Sequence, residues 1–143
     1  RRETYLWLYA FDLVQYAMPL FGPSPALGVR VHEPVAYVGV VRRQLHDDLQ
    51  ALAAEPQEPR PELVERWKLL AGRVMTALAL TRGGRSLKKN DVYRDFNLLA
   101  PGFPGKAFAA SLWAEYLYGS VFQDRVEWLR RCRRFCEGAL EVL

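Results

Sequence analysis

The segment Thr81-Arg82-Gly83-Gly84-Arg85-Ser86-Leu87-Lys88-Lys89-Asn90-Asp91-Val92-Tyr93-Arg94-Asp95-Phe96 holds the sharpest break in an otherwise helical pattern. On its N-terminal side, Leu63, Trp67, Leu70, Val74 and Leu78 recur at spacings of three and four, so residues 62–82 read as an amphipathic helix. Pro61, Glu62 and Glu65 sit at its positive end and Arg82 at its negative end, as the helix dipole favours. Gly83 supplies the left-handed residue that commonly closes a helix. On the C-terminal side, Ser86 is an N-cap candidate, with Asn90 a competing start, for a shorter helix carrying Leu87, Val92, Tyr93, Phe96 and Leu99.

This segment also carries the charge imbalance of the chain. Across 143 residues there are 20 Lys and Arg against 16 Asp and Glu, a net charge of +4. Residues 71–106 hold seven cations and two carboxylates, while every other part is balanced to within one charge. A localised basic region raises the nearby concentration of phosphates and polynucleotides. The plain alternative is a solvated helix end.

Working outward, three prolines in Glu55-Pro56-Gln57-Glu58-Pro59-Arg60-Pro61 mark an internal linker at 55–61 that sustains neither helix nor ladder. Before it, Val35 to Val41 is rich in β-branched residues, but Val38, Val41, Leu45, Leu49 and Leu52 keep helical spacing and Pro34 suits a first helical position. Residues 33–54 therefore read as a helix. Residues 4–18 carry two interleaved apolar rows, so a helix there is expected to be central. Asp12 and Gln15 form its polar stripe, and Asp12 is expected to pair with an arginine or line a cleft. Gly22-Pro23-Ser24-Pro25 is a loop.

Beyond residue 96, Ala100 to Gly105 reads as an ordered loop with one aromatic, Phe103. Phe108, Leu112 and Tyr116 mark a helix that pauses at Gly119-Ser120. Val126, Leu129, Cys132, Cys136, Leu140 and Leu143 mark the last one, with Arg130, Arg131, Arg133 and Arg134 mostly on its exposed side. Neither an internal repeat nor a hairpin signal is present. The expected architecture is an all-α bundle of five or six helices, a single helical domain over 1–143. The chain starts Arg1-Arg2 without a signal-peptide layout, which leads us to expect an excised domain or a processed product.

The motifs that carry chemistry are largely missing. Gly83-Gly84 has neither the spacing nor the preceding strand of a phosphate-cradling loop, and there is no serine nucleophile elbow. Asp124 and Glu127 follow Gly119-Ser120, but in helical sequence and without the Asp-x-Asp pair that holds Mg²⁺ in a nucleotidyl transferase. The two cysteines, Cys132 and Cys136, and the two histidines, His32 and His46, do not form zinc-ligand pairs, so reduced thiols on a helix face are expected. No apolar run approaches the roughly 18 residues of a membrane span. A cytoplasmic protein with no catalytic residue, metal or cofactor of its own, and no membrane association, is the expectation.

From Ala79-Leu80-Thr81 through Arg82-Gly83-Gly84-Arg85-Ser86-Leu87-Lys88-Lys89 to the aromatic-rich final helices, the chain resembles the α-helical C-terminal domains of kanamycin-type small nucleotidyltransferases, which are akin to HEPN domains. The resemblance is one of layout: a helix, a short glycine-containing turn and a basic start to the next helix. It implies a domain that binds substrate or pairs with a catalytic partner. The Arg and His spacing of HEPN ribonucleases is not met by Arg42, Arg43 and His46, nor by Arg30 and His32, which counts against RNA cleavage.

Three readings stay open. In the first, the chain is a non-catalytic substrate-recognition or accessory domain of a nucleotidyltransferase-like enzyme. Arg82, Arg85, Lys88 and Lys89 then attract a phosphate-bearing ligand, and Tyr93 or Phe103 offers a stacking face. In the second it is a nucleic-acid-binding module, in which the same cations and Arg94 contact successive phosphates. In the third it is a protein-interaction scaffold that docks through Trp7, Tyr9 and Phe11.

Overall fold

The computed structural model describes residues 34–85, 88–99, 102–103, 105–119 and 124–143. Within them run α1 (Pro34–Ala54), α2 (Pro61–Thr81), α3 (Lys89–Leu99), α4 (Lys106–Tyr118) and α5 (Arg125–Glu141), with no strand among the described residues. The all-α bundle expected from periodicity is what is observed. The helix expected at 4–18, with Asp12, Gln15, Trp7, Tyr9 and Phe11, and the loop at 22–25 lie outside the described residues. Among the described residues, no helix is long and apolar enough to cross a membrane.

The centre of the described bundle is α2, which packs against each of the other four helices. Trp67, Ala71, Val74 and Leu78 form its inward row, as their spacing predicts, and all are buried. Toward its C-terminus Ala77, Leu78, Ala79 and Leu80 are buried in succession. Successive side chains point about 100° apart, so four of them bury the helix in almost every direction there.

Helices α1 and α2 form an antiparallel pair. Val38, Val41, Leu45, Leu49 and Leu52 of α1 are all buried, joined by Tyr37, which resolves the strand-like opening of this segment in favour of helix. Arg73 pairs with Asp48 at 2.8 Å and Arg66 with Glu55 at 2.7 Å. From the second pair to the first, the arginine moves forward along the chain and its carboxylate partner moves back by the same number of residues, so both mark one antiparallel register. Being partly exposed, each stabilises by only roughly 0–1 kcal/mol.

The proline-rich segment between them is a tight connection. Gln57 Nε2 donates to the carbonyls of Leu52 (2.8 Å) and Glu55 (2.7 Å), adding to the Glu55 N–H bond that Leu52 O already accepts at 3.3 Å. Arg60 is extended at φ −76°, ψ 145°, as a residue before proline must be, and Pro61 opens α2.

The end of α2 explains both glycines. Gly83 adopts φ 94°, its N–H donates to Leu80 O at 3.3 Å, and the Gly84 N–H donates to Ala79 O at 2.9 Å. This is the six-to-one and five-to-two pairing of a Schellman closure. Gly83 is required for its left-handed φ, Gly84 for space. A Cβ on Gly84 would lie 2.8 Å from Ala79 O and 3.3 Å from a carboxylate oxygen of Asp95 in α3.

Helix α3 starts at Lys89, with Lys88 O accepting from Val92 N at 2.9 Å. Lys88 is thus the flanking residue in place of Ser86, which lies outside the described residues, while Asn90 falls inside the first turn. Val92 and Phe96 are buried. Helix α4 stops where predicted, at Gly119 with φ 75°. In α5 the face differs from the sequence expectation. Val126 is half exposed, and Trp128 and Phe135 are the buried aromatics beside Leu129, Cys132, Cys136 and Leu140. Asp124 caps the helix, its side chain accepting from Glu127 N at 3.0 Å.

Because Gly84 is confined by backbone atoms and Gly83 by its φ, Gly84→Ala is expected to cost roughly 1–3 kcal/mol and Gly83→Ala about 1–2 kcal/mol. Gly138 in α5 has nothing within 4 Å of where a Cβ would sit, so Gly138→Ala should stabilise by about 1 kcal/mol. Urea unfolding midpoints of the three variants check this order.

Candidate functional site

The sequence points to the corner between α2 and α3, and four of the six residues it names gather there on the surface. Arg82 is the C-cap of α2 at φ −99°, ψ 12°, and its side chain is exposed. Arg85, Lys88 and Lys89 are exposed as well, and no acidic residue lies between Thr81 and Asn90. Arg85 and Lys88 also have interactions within the protein. The Schellman closure anchors the corner at one end. At the other, Asp95 lies against Gly84 and the Lys89 ammonium sits 4.3 Å from the centre of the Tyr116 ring on α4.

The other two residues also have partners within the fold. Tyr93 stacks on Trp113 of α4, with centroids 5.1 Å apart and planes 5° from parallel, so one ring face is already covered. Arg94 is exposed and shared between Asp91 at 3.3 Å and Asp95 at 3.1 Å. Phe103, the other stacking candidate, meets Phe96 and Phe135 edge-on at 5.7 and 5.8 Å.

Tyr116 ties the corner to the core. Its hydroxyl donates to Lys68 O at 3.4 Å and rests over Gly72, where a Cβ would lie 2.7 Å from the phenol oxygen. That close approach accounts for a glycine in mid-helix. Burial, with the Glu65 carboxylate adding to it, pushes the Tyr116 phenol up to about 12.

Among the described residues, no carboxylate or thiol is arranged for catalysis. Glu115, almost fully buried in α4, accepts from both terminal nitrogens of Arg125 at 3.1 and 3.4 Å. Asp124 and Glu127 belong to the cap of α5. Cys132 and Cys136 are free and buried; the Cys132 thiol donates to Trp67 O at 3.5 Å, and burial pushes it up, with Cys136 beside it. Such a thiol is a poor nucleophile. Among the described residues, no three His, Cys, Asp or Glu side chains converge as a metal site would require.

Sequence reasoning missed one feature, a cleft of about 460 Å³ between the Phe103 loop, the start of α4 and α5. Phe103, Phe108 and Phe135 line it, with Arg131, Arg134 and Gly138 from α5. The spacing of 131, 134, 135 and 138 is that of one helix stripe, but Arg130 to Arg134 reads in sequence as a solvated basic face. Only the loop folding over Phe135 turns that stripe into a wall.

The raised Tyr116 phenol has a consequence for alkaline stability. Below pH 10 the phenol is neutral both folded and unfolded, so its contribution is fully present; it is lost as pH rises through the folded value of about 12. Tyr116→Phe is expected to flatten this loss, as seen by comparing urea unfolding of the two proteins across that range. No protein-family model, curated protein or solved structure matches this chain.

Proposed function

We propose that this chain is a helical recognition module that holds a phosphate-bearing ligand at the α2–α3 corner, as the substrate-recognition or accessory part of a nucleotidyltransferase-like enzyme. One observation carries the ligand class. Arg82, Arg85, Lys88 and Lys89 are all exposed, and the stretch from Thr81 to Asn90, closed onto α2 at Gly83-Gly84, has no acidic residue of its own, Asp95 of α3 being the carboxylate that meets it at Gly84. Guanidinium and ammonium groups held this way attract phosphate oxygens by charge and by forked hydrogen bonds. The negative end of α2 keeps Arg82 favourably placed when no ligand is bound.

The enzyme context is supported by the layout resemblance alone, in which a buried helix ends at a glycine turn and a basic helix start follows. The carboxylates described above sit in caps and ion pairs, so in this reading the transfer chemistry belongs to a partner domain. Engagement of Arg94 by two aspartates shortens the run of cations available to a polynucleotide, which favours a compact phosphate-bearing ligand over an extended strand.

Titration with pyrophosphate, a nucleoside triphosphate and labelled single- and double-stranded oligonucleotides tests the ligand class. Affinity for the compact ligands should fall at least about tenfold in Arg82→Glu with Arg85→Glu, a loss of about 1.4 kcal/mol. Arg42→Glu, on the outer face of α1, should leave it unchanged. Undetectable binding of every probe at low salt would end this reading. Oligonucleotides binding more tightly than the triphosphate, with a log–log salt slope near −0.9 per phosphate contacted, would assign the corner to nucleic acid instead. The enzyme context is checked in the coding sequence ahead of Arg1 and in adjacent reading frames, where a Gly-Ser turn followed by Asp-x-Asp is expected.

A further inference from the structure

We infer that the cleft beside α5 is a second binding site, independent of the basic corner, for a small flat aromatic carboxylate. Three observations meet there. The first is size and lining: about 460 Å³ lies within the roughly 300–1,000 Å³ range of small-ligand sites, and Phe103, Phe108 and Phe135 make its walls apolar. The rings hold one another in place, with Phe103 edge-on to Phe135 at 5.8 Å and Phe108 tilted against Phe135 at 5.3 Å. Gly105 is locked beneath them, since a Cβ there would lie 2.5 Å from Phe135 and 2.7 Å from Phe103. Such walls are preorganised, which lowers the ordering cost of binding.

The second observation is Gly138. It sits in the last turn of α5, and nothing lies within 4 Å of the position a Cβ would take. Packing does not require it. What its missing side chain does is leave the floor of the cleft open.

The third is Arg134. Among the other arginines of α5, Arg125 pairs with Glu115, Arg130 with Glu127 and Arg133 with Glu137, and Arg131 has a partner within the protein. Arg134 is exposed at the cleft and, among the described residues, makes no ion pair or hydrogen bond. A guanidinium beside an apolar slot is matched by a carboxylate on a flat hydrophobic body, which it grips through two parallel hydrogen bonds. Glu141, about two turns further along α5, also lines the cleft and repels an anion from that end. The carboxylate is therefore directed to Arg134, and a hydroxyl or ring N–H at the opposite end of the ligand meets Glu141.

Calorimetric titration of the whole chain with 4-hydroxyphenylacetate and indole-3-acetate, each against its neutral amide, tests the site. At least one acid should bind saturably with Kd below about 1 mM, and its amide at least about tenfold more weakly. Arg134→Gln should weaken the acid by a similar factor. Gly138→Leu should abolish binding, while Gly138→Ala, with the same backbone change and little bulk, retains it. Helical circular dichroism reports whether each variant is folded, and if Gly138→Leu fails to fold, Arg134→Gln and the amide comparison decide. Saturating pyrophosphate should leave the titration unchanged, which separates this site from the basic corner. No saturable binding of either acid, equal binding of acid and amide, or full affinity in a folded Gly138→Leu protein overturns the proposal.

Discussion

Everything in this bundle depends on α2, whose last turns are buried on nearly all sides. A helix that packs against four neighbours needs small residues where they approach closely and large ones where they leave space. Ala71, Gly72, Ala77 and Ala79 serve the first need, and Trp67, Leu70, Leu78 and Leu80 the second. The demand for volume is strong enough that Trp67 and Trp128 are enclosed with indole N–H groups that find no partner among the described residues. A buried unsatisfied donor costs roughly 1–3 kcal/mol, and an indole buries enough apolar surface to offset it. A helix enclosed like this cannot simply fray at its end. Its last carbonyls have to be met at once, and the Gly83-Gly84 closure does so in two residues.

That closure also links the core to the charged surface. With Ala79 O occupied by Gly84 N–H and Asp95 pressed against Gly84, the chain leaves α2 along a defined path. Arg82 and Arg85, on either side of the closure, are exposed. Several other cations are paired: Arg73 with Asp48 across the helical hairpin, Arg94 with its two aspartates, Arg125 with buried Glu115. Arg134 differs from the other arginines of α5, each of which has a partner within the protein.

The two candidate sites use different physics. The corner is exposed, so its attraction is long-ranged, salt-sensitive and tolerant of ligand shape. The cleft is walled mainly by apolar side chains, so a ligand there would be held by contact and shape. α3 reaches toward both, through Asp95 against Gly84 on one side and Phe96 against Phe103 on the other.

The helical periodicities of α1 and α2, the stop at Gly83 and the stop at Gly119 were legible in sequence because they are local: each depends on spacing along one helix or on the φ of one residue. So was the exposure of the corner cations, since a charge-rich turn has nowhere to go but the surface. On α5 the expected row Leu129, Cys132, Cys136 and Leu140 is buried, whereas Val126 in the first turn is half exposed, because what covers a helix end is decided by the neighbouring elements and not by spacing along the helix. Tyr93 and Arg94 read as ligand-binding groups, whereas their partners Trp113, Asp91 and Asp95 are selected by packing and side-chain direction. The cleft was invisible for the same reason. Phe103 lies on a loop far in sequence from Arg134 and Gly138 on α5, and only the tertiary fold brings them to one wall, because van der Waals contact depends on distance in space and not along the chain.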